Sequence, residues 1–358
     1  MAKITILGAG ITGLATASIL RSKGHKVTII ARDLPPKDGQ AIDLDKASKD
    51  WASPWAGAFY MPDIKISPLH QRMLSLSLPH LFRLADASPE SSVRRIDIED
   101  VRDDGATLDD IWYAAHVPNF QPIPAADLPT GCTLGMSWQT VVVHPAILLP
   151  WLRAQLEQGP NAVTFIQRTV RSLGEAAAAI APACDVLINA SGNGARDLVP
   201  AVGDERQRIQ AIRGQTHLLR THWDRIFMRQ GSQYTYCIPR LDGTAVVGGV
   251  KGVGSDDPDV SGDQQTDIFN RVGDNLPHVF AAFPADFDVV RDNVGFRPGR
   301  EGGPRVEKEV LEEEEGGGLK VVHAYGVSGS GYGYSFGLGE VVSEMVDELL
   351  SGSPKAKL

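Results

Sequence analysis

Residues 4–33 read ITILGAGITGLATASILRSKGHKVTIIARD, and this stretch decides the fold. Ile4-Thr5-Ile6-Leu7 is a short apolar run of the kind a buried parallel strand uses, and it breaks at Gly8-Ala9-Gly10-Ile11-Thr12-Gly13. Leu14, Ala17, Ile19 and Leu20 give the next segment a helical apolar face, Gly24 ends it, and Lys26-Val27-Thr28-Ile29-Ile30 reads as a second parallel strand stopping at Ala31-Arg32-Asp33. That is a complete βαβ unit. In it Gly8 permits the tight turn, Gly10 lets backbone approach a pyrophosphate, and Gly13 brings helix and strand together, while the helix N-terminus offers N–H groups to phosphate. Asp33 falls about 20 residues beyond the last glycine, where a carboxylate takes the hydroxyls of an adenosine ribose. A dinucleotide site is therefore expected. Arg32 leaves two ligands open, since an arginine here also suits the 2′-phosphate of NADP.

At 358 residues two domains are the default, and 42% hydrophobic with 22% charged residues is ordinary globular composition. The net charge of −9 speaks against a nucleic-acid or anionic-membrane surface. Cys132, Cys184 and Cys237 are widely spaced and odd in number, which suits a reducing compartment and gives no metal site, though one bridged pair stays open. No apolar run approaches spanning length, and no signal peptide is expected before the first strand. The terminal Ala356-Lys357-Leu358 is similar to the SKL peroxisomal address, with an arbitrary basic tail as the other reading.

Between these ends, Ser67 to Ala85 has a helical pattern, Val93 to Val117 alternates strand-like runs with acidic turns, and Val141-Val142-Val143 precedes a helix over Ala146 to Leu156 that starts at Pro145 or Pro150. Val163 to Ile166 and Thr169-Val170 read as short strands, and Cys184 to Ala190 as a buried one that returns to the nucleotide sheet at Ser191-Gly192. From Arg208 the chain is strand-rich: Gln215 to Leu219, then Tyr234 to Ile238 and Thr244 to Val247 around Asp242-Gly243, a hairpin signal that sets Tyr234, Tyr236 and Ile238 on one face. Gln264 to Asn275 reads as helix and Val289 to Phe296 as strand, and Glu312 to Glu315 with Gly316 to Gly318 as a solvated hairpin tip. Val321 to Tyr325 is a last strand, entering a glycine-rich loop, Gly326 to Gly337, and a final helix. This second close approach of flexible backbone suggests a ligand longer than one nucleotide, and its helix N-terminus could stabilise charge on a reduced ring.

GAGITGL, Ala31-Arg32-Asp33, SPWAGA at 53–58, RGQT at 213–216, YCIPR at 236–240, NVGFRPGREGGPRVE at 293–307 and HAYGVSGSGYGYSFG at 323–337 together resemble the D-amino acid oxidases and the related D-aspartate oxidases. The resemblance extends over nearly the whole chain, and the terminal AKL fits it because many members are peroxisomal. It implies an α/β fold with a Rossmann-type FAD-binding domain in three pieces, 1–55, 141–195 and 289–358, and an α+β substrate domain on a mixed sheet, 56–140 and 196–288. It also implies that FAD lies along Gly8, Ala9, Gly10, Ile11, Thr12, Gly13, Arg32, Asp33, Ser53, Ala56, Gly57, Val170, Ser191 and Gly192, and along Ser328, Gly329, Ser330, Gly331, Tyr332 and Gly333.

The family's substrate-binding tyrosine maps to Tyr236 and its arginine to Arg297, a pair that would hold an α-carboxylate by two guanidinium hydrogen bonds and one phenol bond. Without the resemblance, Tyr236 also reads as a core filler and Arg297 as the partner of an acid such as Glu301. Gly329 matches the position whose carbonyl holds the substrate amine. A second family tyrosine falls on Ser232, so its role passes to Tyr234 or leaves a more open pocket, and His217 is expected either to shape specificity or to serve structure.

The implied reaction is hydride transfer from Cα to flavin N5 with no obligatory side-chain base, giving a 2-oxo acid, ammonia and, with oxygen, hydrogen peroxide. Neutral D-amino acids are the expected substrates. D-aspartate comes second, with Arg213 and His217 as the additional cations. An NAD(P)-dependent dehydrogenase and a non-enzymatic flavin module are the other classes. Expected partners are the substrate, oxygen and, through AKL, the peroxisomal import receptor, with no nucleic acid or membrane; the sequence is also compatible with a homodimer.

Overall fold

A computed structural model describes residues 1–179, 184–199, 204–240, 242–280, 287–311 and 318–352. The chain runs β1 (Lys3–Leu7), α1 (Ile11–Ser22), β2 (Lys26–Ala31), β3 (Ala58–Phe59), α2 (Pro68–Ala87), β4 (Arg94–Arg102), β5 (Gln121–Pro122), β6 (Leu134–Val143), α3 (Pro145–Leu156), β7 (Thr164–Gln167), α4 (Leu173–Ala178) and β8 (Val186–Asn189). It continues through α5 (Ala195–Leu198), α6 (Glu205–Arg208), β9 (Ile209–Arg220), β10 (Ile226–Gln230), β11 (Thr235–Pro239), β12 (Thr244–Gly248), β13 (Gly252–Val253), α7 (Gly262–Asn275), β14 (Val289–Arg300), β15 (Arg305–Leu311), β16 (Leu319–Tyr325) and α8 (Gly331–Ser351).

Two sheets organise these elements in an α/β fold. The first has the order β15-β16-β8-β1-β2-β7, parallel throughout except for β15 on β16. Its central strands are apolar on both sides, as strands covered on both faces must be. Helix α8 packs on α1 and α2 and shields one face. The second sheet is mixed, in the order β13-β9-β12-β11-β10-β4-β6-β3, with β14 also on β9 and β5 on β6.

The βαβ unit is as the sequence reading had it. Gly8 has φ 105°, and a Cβ there would lie 2.3 Å from the Ala190 carbonyl oxygen, so only glycine lets β1 and β8 end side by side at the turn. Helix α3 starts at Pro145, with Pro150 accommodated inside it. Three expectations change. Residues 103–117 hold no strand, because the Thr107 and Asp110 capping box winds Leu108–Asp110 into a helical turn. Thr169-Val170 lies beyond the end of β7 without pairing. Strand β14 pairs along its length with β9, so residues 289–300 belong to the second sheet, although the sequence division set them with the first. The acidic tip at 312–315, the tail with AKL, and Leu241 in the β11–β12 turn lie outside the described residues.

Candidate active site

The C-terminal ends of β1, β2 and β8 open onto a cavity of ≈ 430 Å³ that continues to the second sheet. One end is walled by Gly8, Ala9, Gly10, Ile11, Thr12, Arg32, Asp33, Val170, Ser191 and Gly192, the other by Tyr234, Tyr236, Arg297, Ser328, Gly329, Gly331 and Tyr332. Ser53, Ala56 and Gly57 join them between. The expected residues Gly13, Ser330, Gly333 and His217 do not line it. Gly13 sits behind the turn, where a Cβ would meet the Gly8 carbonyl oxygen at 2.0 Å, and Gly333 packs near Leu74 and Met61. The Ser330 hydroxyl donates to Asp63 at 3.2 Å.

Helix α1 has no side-chain cap at Gly10, and Ser53 Oγ accepts from the Ile11 N–H at 3.0 Å. A helix start in glycine backbone, with no side-chain cap of its own, is a place for phosphate oxygens. Tyr332 closes the neighbouring wall, its hydroxyl donating to the Ser53 carbonyl at 3.0 Å. Ser328 adopts φ 50°, a strained left-handed conformation for serine that holds the loop beside Arg297. Arg32 donates to Asp33 at 2.8 Å and Asp50 at 3.4 Å, so its charge is met by two carboxylates instead of standing ready for a 2′-phosphate. The residues fit a dinucleotide without that phosphate, running on to a ring near Arg297.

The far end is built by close packing. Tyr236 on β11 faces Gly248 on β12, where a Cβ would come 2.4 Å from the phenol oxygen. The two tyrosines meet edge to face with centroids 5.6 Å apart, and Tyr234, Tyr236 and Ile238 all reach the cavity, as period two requires. Burial raises the Tyr236 pKa, with Arg297 working against it, so the phenol stays a donor. Arg297 lies across Gly214 of β9, where a Cβ would fall 2.7 Å from one guanidinium nitrogen, and it donates to the Val250 carbonyl at 2.9 Å. Among the described residues no carboxylate forms an ion pair with it, Glu301 included. A half-buried cation beside a tyrosine, unmatched by any acid among the described residues, can receive a ligand carboxylate.

The structure separates His217 from this site. Alternation along β9 turns Gly214 and Thr216 to the cavity and Arg213, Gln215 and His217 to α7. His217 is fully buried, 2.6 Å from Asp292 and edge-on to Phe269. Arg213 donates to the carbonyls of Asp257 and Asp259 and to Gln264 and Gln215. Neither is placed to meet a substrate side chain. Ser232 is bound to Asp103 away from the site, leaving Tyr234 in the cavity.

Sequence reasoning missed Phe59, Met228 and Lys251. The first two line the cavity. Lys251 Nζ lies 4.0 Å above the Tyr234 ring, and its only signal is a lone lysine after the Gly248-Gly249 pair. Among the described residues there is no metal-holding cluster, and the three cysteines are free thiols.

Residues 3–345 match the model of the FAD dependent oxidoreductase family. A D-aspartate oxidase of Talaromyces thermophilus is 32% identical, over 96% of this chain and 95% of its own. A D-amino-acid oxidase of Schizosaccharomyces pombe is 29% identical, over 99% and 97%. The crystal structure of glycine oxidase from Geobacillus kaustophilus superposes with a TM-score of 0.65 at 15% identity, covering 99% of this chain and 96% of that one, a likeness of fold.

Proposed function

This chain belongs to the FAD dependent oxidoreductase family, and we propose that it oxidises D-amino acids to 2-oxo acids, ammonia and hydrogen peroxide. It is an FAD-dependent amino acid oxidoreductase, and FAD as the cofactor favours the oxidase reading over the NAD(P) dehydrogenase one. The observation that carries the proposal is Arg297, a guanidinium with no acid partner among the described residues, on the cavity wall beside Tyr236 and Gly329.

FAD, when bound along Gly8 to Thr12, Asp33, Ser191 and the Ser328 to Tyr332 loop, supplies the hydride acceptor. The chain's own work is orientation. Arg297 takes both oxygens of the α-carboxylate, and the Tyr236 hydroxyl donates a further bond. Gly329, whose Cβ would lie 3.6 Å from Arg297 Cδ, shares that wall and offers its carbonyl to the amine. With carboxylate and amine both fixed, only one enantiomer points Cα–H into the cleft. No side-chain base is required once the amine is neutral.

Phe59, Met228 and Ile238 add apolar side chains to the wall, which favours neutral side chains. Lys251 supports a second reading. Desolvation lowers its pKa, with Asp63 acting the other way, and its ammonium above Tyr234 would attract an acidic side chain. Peroxide formation with D-alanine, D-methionine and D-aspartate, compared in the native protein and Lys251→Met, tests both. D-alanine or D-methionine turning over faster, unaffected by Lys251→Met, supports the first reading. D-aspartate preference lost in the variant reverses the order. No peroxide from any D-amino acid would refute the proposal.

A further inference from the structure

Behind the cofactor wall runs a line of buried polar groups that no step above uses. Ser191 and Gly192 line the cavity, and the Ser191 turn abuts the glycine loop, since a Cβ on Gly8 would lie 3.2 Å from Ser191 Cα. The next turn residue, Asn193, donates to the Phe296 carbonyl at 3.0 Å, tying the same turn to β14. Asn189, fully buried at the end of β8, accepts from the Ser191 hydroxyl at 2.6 Å and from its N–H at 3.4 Å. His323, on the paired strand β16 and 1% exposed, contacts Asn189 Nδ2 through Nδ1 at 3.4 Å and Glu309 through Nε2 at 2.9 Å.

The hydrogens of this line are set by chemistry. A backbone N–H can only donate, so the Asn189 oxygen must face Ser191 and its NH2 must face His323. His323 Nδ1 then has to accept, which puts the ring proton on Nε2, where the Glu309 carboxylate receives it. A proton on Nδ1 would set two donors against each other and turn the amide, taking the acceptor away from Ser191.

We propose that Glu309 and His323 are positioning residues for the cofactor: they hold the Asn189 amide in the orientation that fixes the Ser191 turn of the FAD cleft. The surroundings agree. Glu309 also receives Arg305 at 3.0 Å, Arg305 donates to Glu307 at 2.6 Å, and the Tyr325 ring stands edge-on to His323 at 5.6 Å. Burial lowers the His323 pKa and Arg305 pushes the same way, against Glu309 and Glu307, so the ring stays neutral. The acceptor that selects its tautomer is half-buried on the edge strand β15, and a change there is felt at the cofactor.

The test is FAD release from diluted holoprotein, read by flavin fluorescence, in Glu309→Ala, Glu309→Gln and Glu307→Ala. Glu309→Ala should raise the dissociation constant about tenfold, the value of one hydrogen bond. Glu309→Gln keeps an acceptor oxygen, and Glu307→Ala disturbs Arg305 alone, so both should stay within twofold of the native protein. Nitrogen NMR of His323 in the native holoprotein should show the proton on Nε2. That second measurement decides the matter if Glu309→Ala does not fold. Native affinity in a folded Glu309→Ala protein, or a proton on Nδ1, would overturn the proposal.

Discussion

Arg297→Leu removes the cation on which substrate orientation depends. In the substrate-free protein the guanidinium meets neutral groups, donating to the Val250 carbonyl at 2.9 Å beside the Tyr236 phenol, and makes no ion pair among the described residues, so the loss of folding stability should stay near 1 kcal/mol. In the complex the same group would face a carboxylate through two charge-assisted bonds, and removing it strands that charge at a cost of about 3–5 kcal/mol. At about 1.4 kcal/mol per tenfold, kcat/KM should fall roughly 10²- to 10⁴-fold. Anaerobic stopped-flow reduction of the flavin over a range of D-alanine concentrations would read this, with the flavin spectrum and a thermal melt taken in parallel. FAD content and melting should stay close to native. A variant that keeps kcat/KM within tenfold, or that sheds FAD, refutes the reasoning.

Gly214→Ala would place a methyl group 2.7 Å from an Arg297 nitrogen and displace the guanidinium, so kcat/KM should drop about 10- to 100-fold with FAD retained, as flavin absorbance and steady-state kinetics would show. His217→Leu removes the 2.6 Å contact to Asp292, which keeps Gln265 as a donor at 3.2 Å, and should cost about 1–3 kcal/mol in urea unfolding. Its ratio of D-alanine to D-aspartate turnover should match the native one, and a changed ratio would return His217 to the substrate site. Burial lowers the pKa of His144 from its ordinary 6.5 to about 4, with Arg240 adding to the effect and Asp242 opposing it. Because the unfolded chain binds this proton first, stability is retained above pH 6.5 and lost as pH falls towards 4, on the order of 3 kcal/mol in all. Urea melts at pH 7 and pH 5 should therefore differ less in His144→Gln than in the native protein.

The βαβ unit was legible because its signals are local: a strand run, glycines in fixed order, a helical stripe and an acid at the second strand's end. Tyr236 and Arg297 were singled out by family motifs, and Tyr234 by the alternation that runs into β11; all three line the cavity. The partner of β14 was not legible, because pairing with β9 joins residues far apart in sequence and the apolar run looks the same in either sheet. The orientation of His217 stayed open between a specificity role and a structural one for a related reason. Around it β9 carries polar side chains on both faces, Gln215 and His217 on one and Thr216 on the other, so alternation gives no inside or outside. Lys251 could not be read at all, since only the fold over Gly248 and Gly249 brings a lysine from beyond β12 onto the Tyr234 ring.

The claim that one cation and one carbonyl sort mirror images is tested most directly by the visible spectrum of the holoprotein under anaerobic conditions, before and after D-alanine or L-alanine. Bleaching of the flavin band by the D enantiomer alone is the predicted result. Equal bleaching by both, or bleaching by L-alanine only, would contradict it.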